Sequence, residues 1–229
     1  MKILVINPGS TSTKIAVYEN DTPRLVRNIR HTVDELSSFS HIIDQFEFRK
    51  NLVLKELEAD NIPFEFDAIV GRGGLLKPIP GGVYEVNDAM LDDILHAMRT
   101  HACNLGCLIA SELAALLPGC RAFIADPGVV DELDEIARIT GSPLMPRITI
   151  WHALNQRAIA RRYAAAQHVR YEDLDLIVCH LGGGISVGVH HHGKAVDVNN
   201  ALDGEGPFSP ERAGTLPAGQ LIDLCCSGR

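Results

Sequence analysis

The stretch MKILVINPGSTSTKIAVYE, residues 1–19, predicts a strand, a tight glycine turn and a second strand. Its first six residues form a short apolar run that is too brief for a helix and stops at Asn7-Pro8-Gly9, a cluster of turn formers. An apolar run resumes over residues 14–18. We therefore expect a β-hairpin whose bend carries four hydroxyl residues, Ser10, Thr11, Ser12 and Thr13.

The chemistry of this bend favours an anionic ligand. Hydroxyl groups, the Asn7 carboxamide and exposed backbone N–H groups can all donate hydrogen bonds to phosphate oxygens. Lys14 adds a positive charge beside them. An ordinary polar hairpin turn is the alternative interpretation, and these residues alone do not separate the two.

Composition limits the classes of partner. The 229 residues contain 21 Lys plus Arg against 29 Asp plus Glu, for a net charge of −8. This balance argues against a nucleic-acid partner, so an anion must be held by local donors.

No apolar run approaches the roughly 20 residues that span a bilayer, and the start lacks a signal-sequence pattern. We expect a cytoplasmic protein with no membrane partner. Six cysteines without metal-ligand spacing predict buried free thiols.

Alternating strands and helices predict a mixed α/β fold in the first half of the chain. Short apolar strands are expected at residues 67–70 and 121–125, and amphipathic helices at three places: residues 39–57, the stretch from Asn87 to Met98, and residues 105–116. In α/β sheets, ligands bind outside the carboxyl ends of the strands. The three polar residues that follow such strands are Asn7, Arg72 and Asp126.

The alternation of apolar strand and helix patterns is interrupted near Pro143 and Pro146. This interruption predicts two domains, residues 1–145 and 146–229. In the second, a helix is expected from about Ile150 to Ala166, with Trp151 and His152 on it. A second hairpin follows, with its glycine turn at His180-Leu181-Gly182-Gly183-Gly184. Three adjacent histidines, residues 190–192, cannot all face one metal ion, so we expect a solvated hairpin tip there. Residues 201–219 predict an active-site loop.

Several segments in a consistent order resemble the acetate and butyrate kinase family of the actin-like kinase superfamily. They are "VINPGSTSTKIAV", "GRGGLLKPIPGGVYEVN", "HACNLGCLIA", "ADPGVV", "HLGGGISVGVH" and "ERAGTLP". The "GRGGLLKPIPGG" segment is closer to the butyrate kinase branch. The resemblance implies an actin-like, ribonuclease H-like two-domain kinase fold. Because family members continue further, with an adenosine-binding part, it also implies an incomplete second domain.

The resemblance implies that the γ-phosphoryl group of ATP passes to a short-chain fatty acid, butyrate or a branched relative, with Mg²⁺ as cofactor and a homodimer in the full-length form. A carboxylic acid is already ionised at neutral pH, so its oxygen needs no general base. The obstacle is the approach of two anions, since at about 4 Å and an effective dielectric of about 20 each pair of unit charges repels by about 4 kcal/mol. Cations must offset this repulsion.

Residue roles follow from the same resemblance. Arg72 and Arg212 match arginines that grip the carboxylate and the transferring phosphoryl group, and His152 matches a histidine that donates to that group. Asp126 and Asn7 would hold Mg²⁺. The phosphates would be bound by Asn7, Ser10, Ser12, Lys14, His180, Gly182, Gly183 and Gly184. His101 and Asn104 match a segment beside the substrate.

Each role has a structural alternative. Either arginine could form only a surface salt bridge, Asp126 could only shape an Asp-Pro turn, and a histidine on a helix is usually structural. Two alternatives concern the whole chain. It could be an inactive truncated fragment of such a kinase, or an actin-like nucleotide-binding protein without transferase activity.

Overall fold

The computed structural model describes residues 1–97 and 99–228. The chain forms two compact units. The first consists of Met1–Lys77 and Gly82–Pro127, and the second of Pro78–Gly81 and Gly128–Arg229. The expected division between residues 145 and 146 stays a prediction.

The first unit is built on a six-stranded sheet with strand order β3-β2-β1-β4-β6-β5. Its strands are β1 (Lys2–Pro8), β2 (Ser12–Glu19), β3 (Thr22–Arg30), β4 (Ala68–Arg72), β5 (Val83–Glu85) and β6 (Arg121–Ala125). β1 pairs antiparallel with β2, which confirms the hairpin predicted from residues 1–19. β1, β4 and β6 run parallel to one another, so their carboxyl ends share one edge of the sheet.

The helices of this unit, among the residues that the structure describes, include α1 (Val33–Ser37), α2 (Phe46–Ala59), α3 (Asp88–Leu95) and α4 (Asn104–Ala115). Alternate residues of the hairpin point into a core that α2 and α4 also line. Leu4 and Ile6 of β1 are fully buried there, as are Val53 of α2 and Ile109 of α4. This burial of one hydrophobic stripe per helix is what fixes the helices on the sheet.

The helix expected over residues 39–57 is wrong at its start. A 3₁₀ turn, Ile42–Gln45, precedes α2, and α1 lies before that turn. A capping box at Thr32 and Glu35 starts α1. The prediction that Asn87 caps α3 is confirmed, because its side chain accepts a hydrogen bond from the Met90 N–H. Met98, which we expected on this helix, lies outside the described residues.

The second unit contains a three-stranded antiparallel sheet, β7 (Asp175–Leu181), β8 (Ile185–His191) and β9 (Lys194–Val198), with helices α5 (Ala153–Ala166) and α6 (Ala218–Cys226). The second predicted hairpin is confirmed by the pairing of β7 with β8. α5 begins three residues later than expected. The reason is that the Trp151 N–H donates to the Gly128 carbonyl and its indole to the Val130 carbonyl, which hold this segment outside the helix.

The interpretation of residues 190–192 as a solvated tip is wrong for His190. β8 continues through His191, the turn is formed by His192 and Gly193, and His190 is fully buried. Two hydrogen bonds account for this burial, one with the Tyr171 hydroxyl and one with Gln156.

All six cysteines are free thiols, but only some are buried as expected. Cys103 and Cys107 are buried and Cys120 is half-buried, whereas the other three are exposed: Cys179, Cys225 and Cys226. Cys179 is exposed because β7 alternates and places this position on its outer face. Within the described residues, no helix combines the length and the apolar character needed to cross a membrane.

Candidate functional site

Three predicted site residues of the first unit lie at the shared carboxyl edge of β1, β4 and β6. The register pairs Ile6 with Gly71 and Arg72 with Ala125, so Asn7, Arg72 and Asp126 follow neighbouring positions on the three strands. The expectation that they occupy the carboxyl ends of strands is confirmed. At such an edge side chains from separate strands converge on one ligand.

Arg72 is directed toward a neutral partner. Its Nη1 donates to the Asn7 Oδ1 at 3.4 Å. Within the described part of the chain its guanidinium forms no salt bridge, so the salt-bridge alternative for this residue is wrong. A guanidinium without a carboxylate keeps its planar set of donors for an anionic ligand.

Asp126 is held in a defined position by Gly82. The Asp126 N–H donates to the Gly82 carbonyl at 2.8 Å, and its Oδ1 accepts from the Gly82 N–H at 2.9 Å. The residue is 4% exposed and has φ of +37°, a left-handed conformation that is uncommon for aspartate. Asp126 does shape a turn, as the structural alternative proposed. Strain of this kind persists only where the surroundings enforce it, which is typical of functional positions.

Two glycines allow α4 to lie directly against the end of β4. A Cβ built on Gly71 would be 2.0 Å from the Gly106 carbonyl oxygen, and one built on Gly106 would be 2.5 Å from the Arg72 carbonyl oxygen. Backbone contact this close requires glycine on both sides. The helix therefore supports the backbone of the strand end that carries Arg72.

The bend of the first hairpin is shorter than expected. Ser12 and Thr13 lie in β2, and only Ser10 and Thr11 of the four hydroxyl residues lie at the turn. The Gly9 N–H donates to the Ser12 carbonyl at 2.7 Å, which closes the turn. Ser10 and Lys14 are exposed.

A buried cation lies beneath this turn. Arg49 of α2 is fully buried, and its Nη1 donates to the Ser12 carbonyl at 3.2 Å and to the Thr13 hydroxyl at 3.0 Å. Burial lowers the pKa of Arg49 to about 10, so the guanidinium is still charged at neutral pH. Its signal in sequence, one arginine on an amphipathic helix, did not distinguish it from a surface residue.

In the second unit, His152 and His180 stack on each other. Their ring centroids are 3.7 Å apart and the planes differ by 6°. His152 Nδ1 lies 3.0 Å from the Ser186 hydroxyl, and His180 Nδ1 lies 2.8 Å from the Asn155 amide nitrogen. Sequence reasoning predicted both histidines but missed Ser186 and Asn155, because their contacts join positions 25 and 34 residues apart.

The glycine turn after β7 is packed from two sides. A Cβ on Gly184 would be 3.2 Å from His152 Cε1. The Gly183 carbonyl accepts from the Ser209 hydroxyl at 2.6 Å and from the Glu211 N–H at 3.1 Å. The loop containing Arg212 is therefore hydrogen-bonded to the predicted phosphate turn.

Arg212 does form a salt bridge, with its neighbour Glu211 at 3.2 Å, as its structural alternative proposed. The exposed fraction of the Glu211 side chain is 57%, so this pair is weak and a ligand anion could replace it. The Nε atom of Arg212 is buried and has no hydrogen-bond partner among the described residues.

The predicted metal ligands fit magnesium only in part. Mg²⁺ prefers oxygen ligands and is usually bound by one or two carboxylates with water and substrate phosphates. Asp126 supplies a carboxylate and Asn7 an amide oxygen at the same sheet edge. Among the described residues no group of three or more His, Cys, Asp or Glu could hold an ion by itself, so a phosphate ligand would have to complete the site.

The segment expected beside the substrate has structural contacts of its own. Asn104 is buried and its Oδ1 accepts from the Leu75 N–H at 3.0 Å. His101 Nδ1 accepts from the Cys103 N–H at 3.2 Å. Asn104 thus fixes the glycine-rich segment that follows Arg72.

Comparison with known proteins finds relatives that share one name, butyrate kinase, although no family model matches the chain. It is 79% identical over 229 residues to a "Probable butyrate kinase" of Bacteroides thetaiotaomicron and 55% identical over 230 residues to "Butyrate kinase 2" of Clostridium acetobutylicum. Over its whole length the chain is similar to proteins named butyrate kinase. The resemblance indicated by the sequence segments is confirmed. Both alignments include 100% of this chain but only 65% and 64% of the relatives' lengths.

Solved structures confirm the fold class. An acetate kinase from Porphyromonas gingivalis superimposes with a TM-score of 0.66 at 19% identity, and a propionate kinase from Francisella tularensis with 0.68 at 16%. Each match covers 100% of this chain and 65% of the solved chain. At these identities the likeness is one of fold, and it supports the α/β actin-like architecture predicted from the sequence.

Proposed function

We propose that the protein containing this chain transfers the γ-phosphoryl group of ATP to the carboxylate of butyrate or a branched short-chain relative, reversibly forming an acyl phosphate. The observation that carries the proposal is Arg72. In a chain 79% identical to a protein named butyrate kinase, its guanidinium lies at the carboxyl edge of the sheet with an amide, and not a carboxylate, as its partner.

The first requirement of the proposed reaction is that positively charged residues offset the repulsion between the acid carboxylate and the phosphate. The ionised acid attacks without loss of a proton, but the two anions repel each other by about 4 kcal/mol per pair of charges at about 4 Å. Arg72 would hold the acid carboxylate through paired N–H donors. Arg212 would hold the transferring phosphoryl group, exchanging its exposed Glu211 partner for a more highly charged one.

Asp126 and Asn7 are the residues that would hold magnesium. Bound magnesium would supply positive charge to the phosphate oxygens during transfer. Because two hydrogen bonds to Gly82 fix Asp126, its carboxylate is positioned before any ligand arrives. Such preorganisation lowers the cost of ordering the site during reaction.

The phosphates would be bound by two turns. In the first unit the donors are the Ser10 and Ser12 hydroxyls, with Lys14 nearby. In the second they are His180 and the backbone N–H groups of Gly182, Gly183 and Gly184. His152 would donate to the phosphoryl group. A cytoplasmic location and a homodimer remain predictions.

A hydroxamate assay of the full gene product tests the proposal. With ATP, Mg²⁺ and butyrate or isobutyrate we expect acyl phosphate to form, at a higher kcat/KM than with acetate. An absence of acyl phosphate with every acid would contradict the proposal and favour a nucleotide-binding protein without transferase activity.

The 229-residue chain assayed in parallel tests the fragment alternative. Activity of the full gene product combined with none in the shorter chain would identify the latter as an inactive part. Equal activity of the two would exclude that alternative.

A further inference from the structure

The buried side of His152 is defined by a chain of hydrogen bonds within the second unit. We propose that Ser186 and Gln156 fix the tautomer of His152, so that the neutral ring carries its proton on Nε2 and accepts at Nδ1. The tautomer follows from the geometry alone. Its use in phosphoryl transfer rests on the proposed function.

The Gln156 amide determines which group donates and which accepts in this series of hydrogen bonds. One of its terminal atoms lies 2.9 Å from the Ser186 backbone carbonyl, which can only accept a hydrogen bond. That atom must therefore be the NH₂ group, and the other must be the oxygen. The orientation of an amide is ordinarily ambiguous, but a carbonyl partner resolves it.

The Gln156 nitrogen also lies 2.8 Å from the Ser186 hydroxyl oxygen, so that oxygen accepts a second hydrogen from the same amide. A weaker contact from the His152 backbone N–H at 3.4 Å also uses this oxygen as an acceptor. Ser186 is fully buried. Its own hydrogen still needs an acceptor, because a buried hydroxyl left without one costs about 1–3 kcal/mol.

Among the described residues, the acceptor available to that hydrogen is His152 Nδ1 at 3.0 Å. Ser186 therefore donates and His152 Nδ1 accepts. A neutral imidazole has one donor and one acceptor nitrogen, so the proton is on Nε2. A doubly protonated ring would donate from Nδ1 and leave the Ser186 hydrogen without an acceptor, so this contact favours the neutral ring.

The hydrogen bonds on the far side of Gln156 agree with this assignment of donors and acceptors. The Gln156 oxygen lies 2.9 Å from His190 Nε2, which must then donate, and His190 Nδ1 accepts from the Tyr171 hydroxyl at 2.5 Å. Gly188 makes room for this arrangement, since a Cβ there would lie 2.6 Å from the Gln156 oxygen. Each bond in the series has one donor and one acceptor.

The Nε2 atom lies over the glycine turn. A Cβ on Gly184 would be 3.2 Å from His152 Cε1 and 3.5 Å from Nε2, so this edge of the ring faces the backbone at residue 184. Stacking on His180 fixes the ring plane. Ser186 and Gln156 are thus positioning residues: they act through His152, which presents an N–H and not a lone pair where the proposed phosphoryl group would lie.

The test is a direct measurement of the tautomer. Long-range ¹H–¹⁵N correlation spectra of the histidine-labelled full gene product distinguish Nε2–H from Nδ1–H rings, and a His152→Asn sample assigns the signals. We expect His152 as the Nε2–H tautomer at neutral pH. An Nδ1–H tautomer in the wild-type protein would overturn the inference.

Variants separate positioning from a structural role. In Ser186→Ala the fixed Nε2–H pattern should be lost, whereas Ser186→Thr, which keeps the hydroxyl, should restore it. Tyr171→Phe is the matched control, because it removes the hydrogen bond to His190 at the far end of the series and should leave the His152 spectrum unchanged. A Ser186→Ala protein that folds and retains the wild-type His152 pattern would contradict the inference.

Turnover gives a second readout. For Ser186→Ala we expect kcat to fall by about 10- to 100-fold, as for other residues that orient a functional histidine, with KM for butyrate changed far less. Ser186→Thr should recover most of kcat. Wild-type protein without turnover but with the Nε2–H ring would contradict the proposed function and leave the tautomer established.

Discussion

His190 makes stability depend on pH in a predictable direction. Burial, together with the positive charge of Arg157, lowers its pKa from 6.5 to about 4, while Glu132 opposes the shift. Between these values the unfolded chain binds a proton that the folded protein does not. The free energy of unfolding therefore falls as pH decreases from about 6.5 toward 4, and it is fully restored above 6.5.

We expect this group to contribute at most about 3 kcal/mol to that loss between pH 7 and pH 4. Urea unfolding of wild type and His190→Gln across this range measures it. The variant should be less stable at pH 7 but flatter in its pH dependence, whereas His192→Gln, changed at an exposed histidine, should follow the wild type. Identical slopes for wild type and His190→Gln would refute the assignment.

The predictability of single residues follows from where their contacts lie. Asn7, Arg72 and Asp126 could be predicted because each directly follows an apolar run, and parallel strands bring such ends together. Ser186 and Gln156 could not, because their roles depend on contacts 30 or more residues away along the chain. His190 was misinterpreted for the same reason: its partners at residues 156 and 171 leave no local signal.

At the scale of elements, the backbones of β4 and α4 are in close contact next to Arg72. We predict that Gly71→Ala destabilises the protein by about 3 kcal/mol or more, because its Cβ would be 2.0 Å from the Gly106 carbonyl oxygen and the helix backbone must move. Thermal or urea unfolding measures the change. Gly141→Ala is the control, since a Cβ there has open space and should change stability by less than about 0.5 kcal/mol. Equal effects of the two changes would disprove the contact.

Most elements could be predicted because their hydrophobic periodicity is local, and both hairpins are examples. Boundaries were harder where a side chain bonds outside its own element. Trp151 has the periodicity of α5, yet its indole donates to the Val130 carbonyl and keeps it before the helix. The capping box that starts α1 is visible in sequence, at Thr32 and Glu35, but this five-residue helix buries no residue and so has no hydrophobic pattern.

At the scale of the molecule, net charge and site chemistry are linked. A chain of net charge −8 would repel the proposed substrates, ATP and a fatty acid anion, at a distance, so under the proposed function their binding would rely on a few cations. The candidates include Arg72 in the first unit, Arg212 in the second and Arg49, buried beneath the first turn. Each is tied to a polar group or to an exposed carboxylate.

The proposed function gives a role to both Arg72 and Arg212, and this leads to the last prediction. Arg72→Ala and Arg212→Ala should each lower kcat/KM for acyl phosphate formation by about 100- to 1,000-fold, since one removes the proposed cation for the acid carboxylate and the other the proposed cation for the phosphoryl group. The double variant should lose less than the product of the two, because the effects of residues that act together in one reaction are not additive. Stability should change little for Arg212→Ala, because the Glu211 side of its salt bridge is exposed.

Arg24→Ala, at an exposed pair with Glu19, controls for loss of surface charge and should keep full activity. If either single variant kept wild-type kcat/KM, or if the two losses multiplied independently, the two arginines would not serve one reaction.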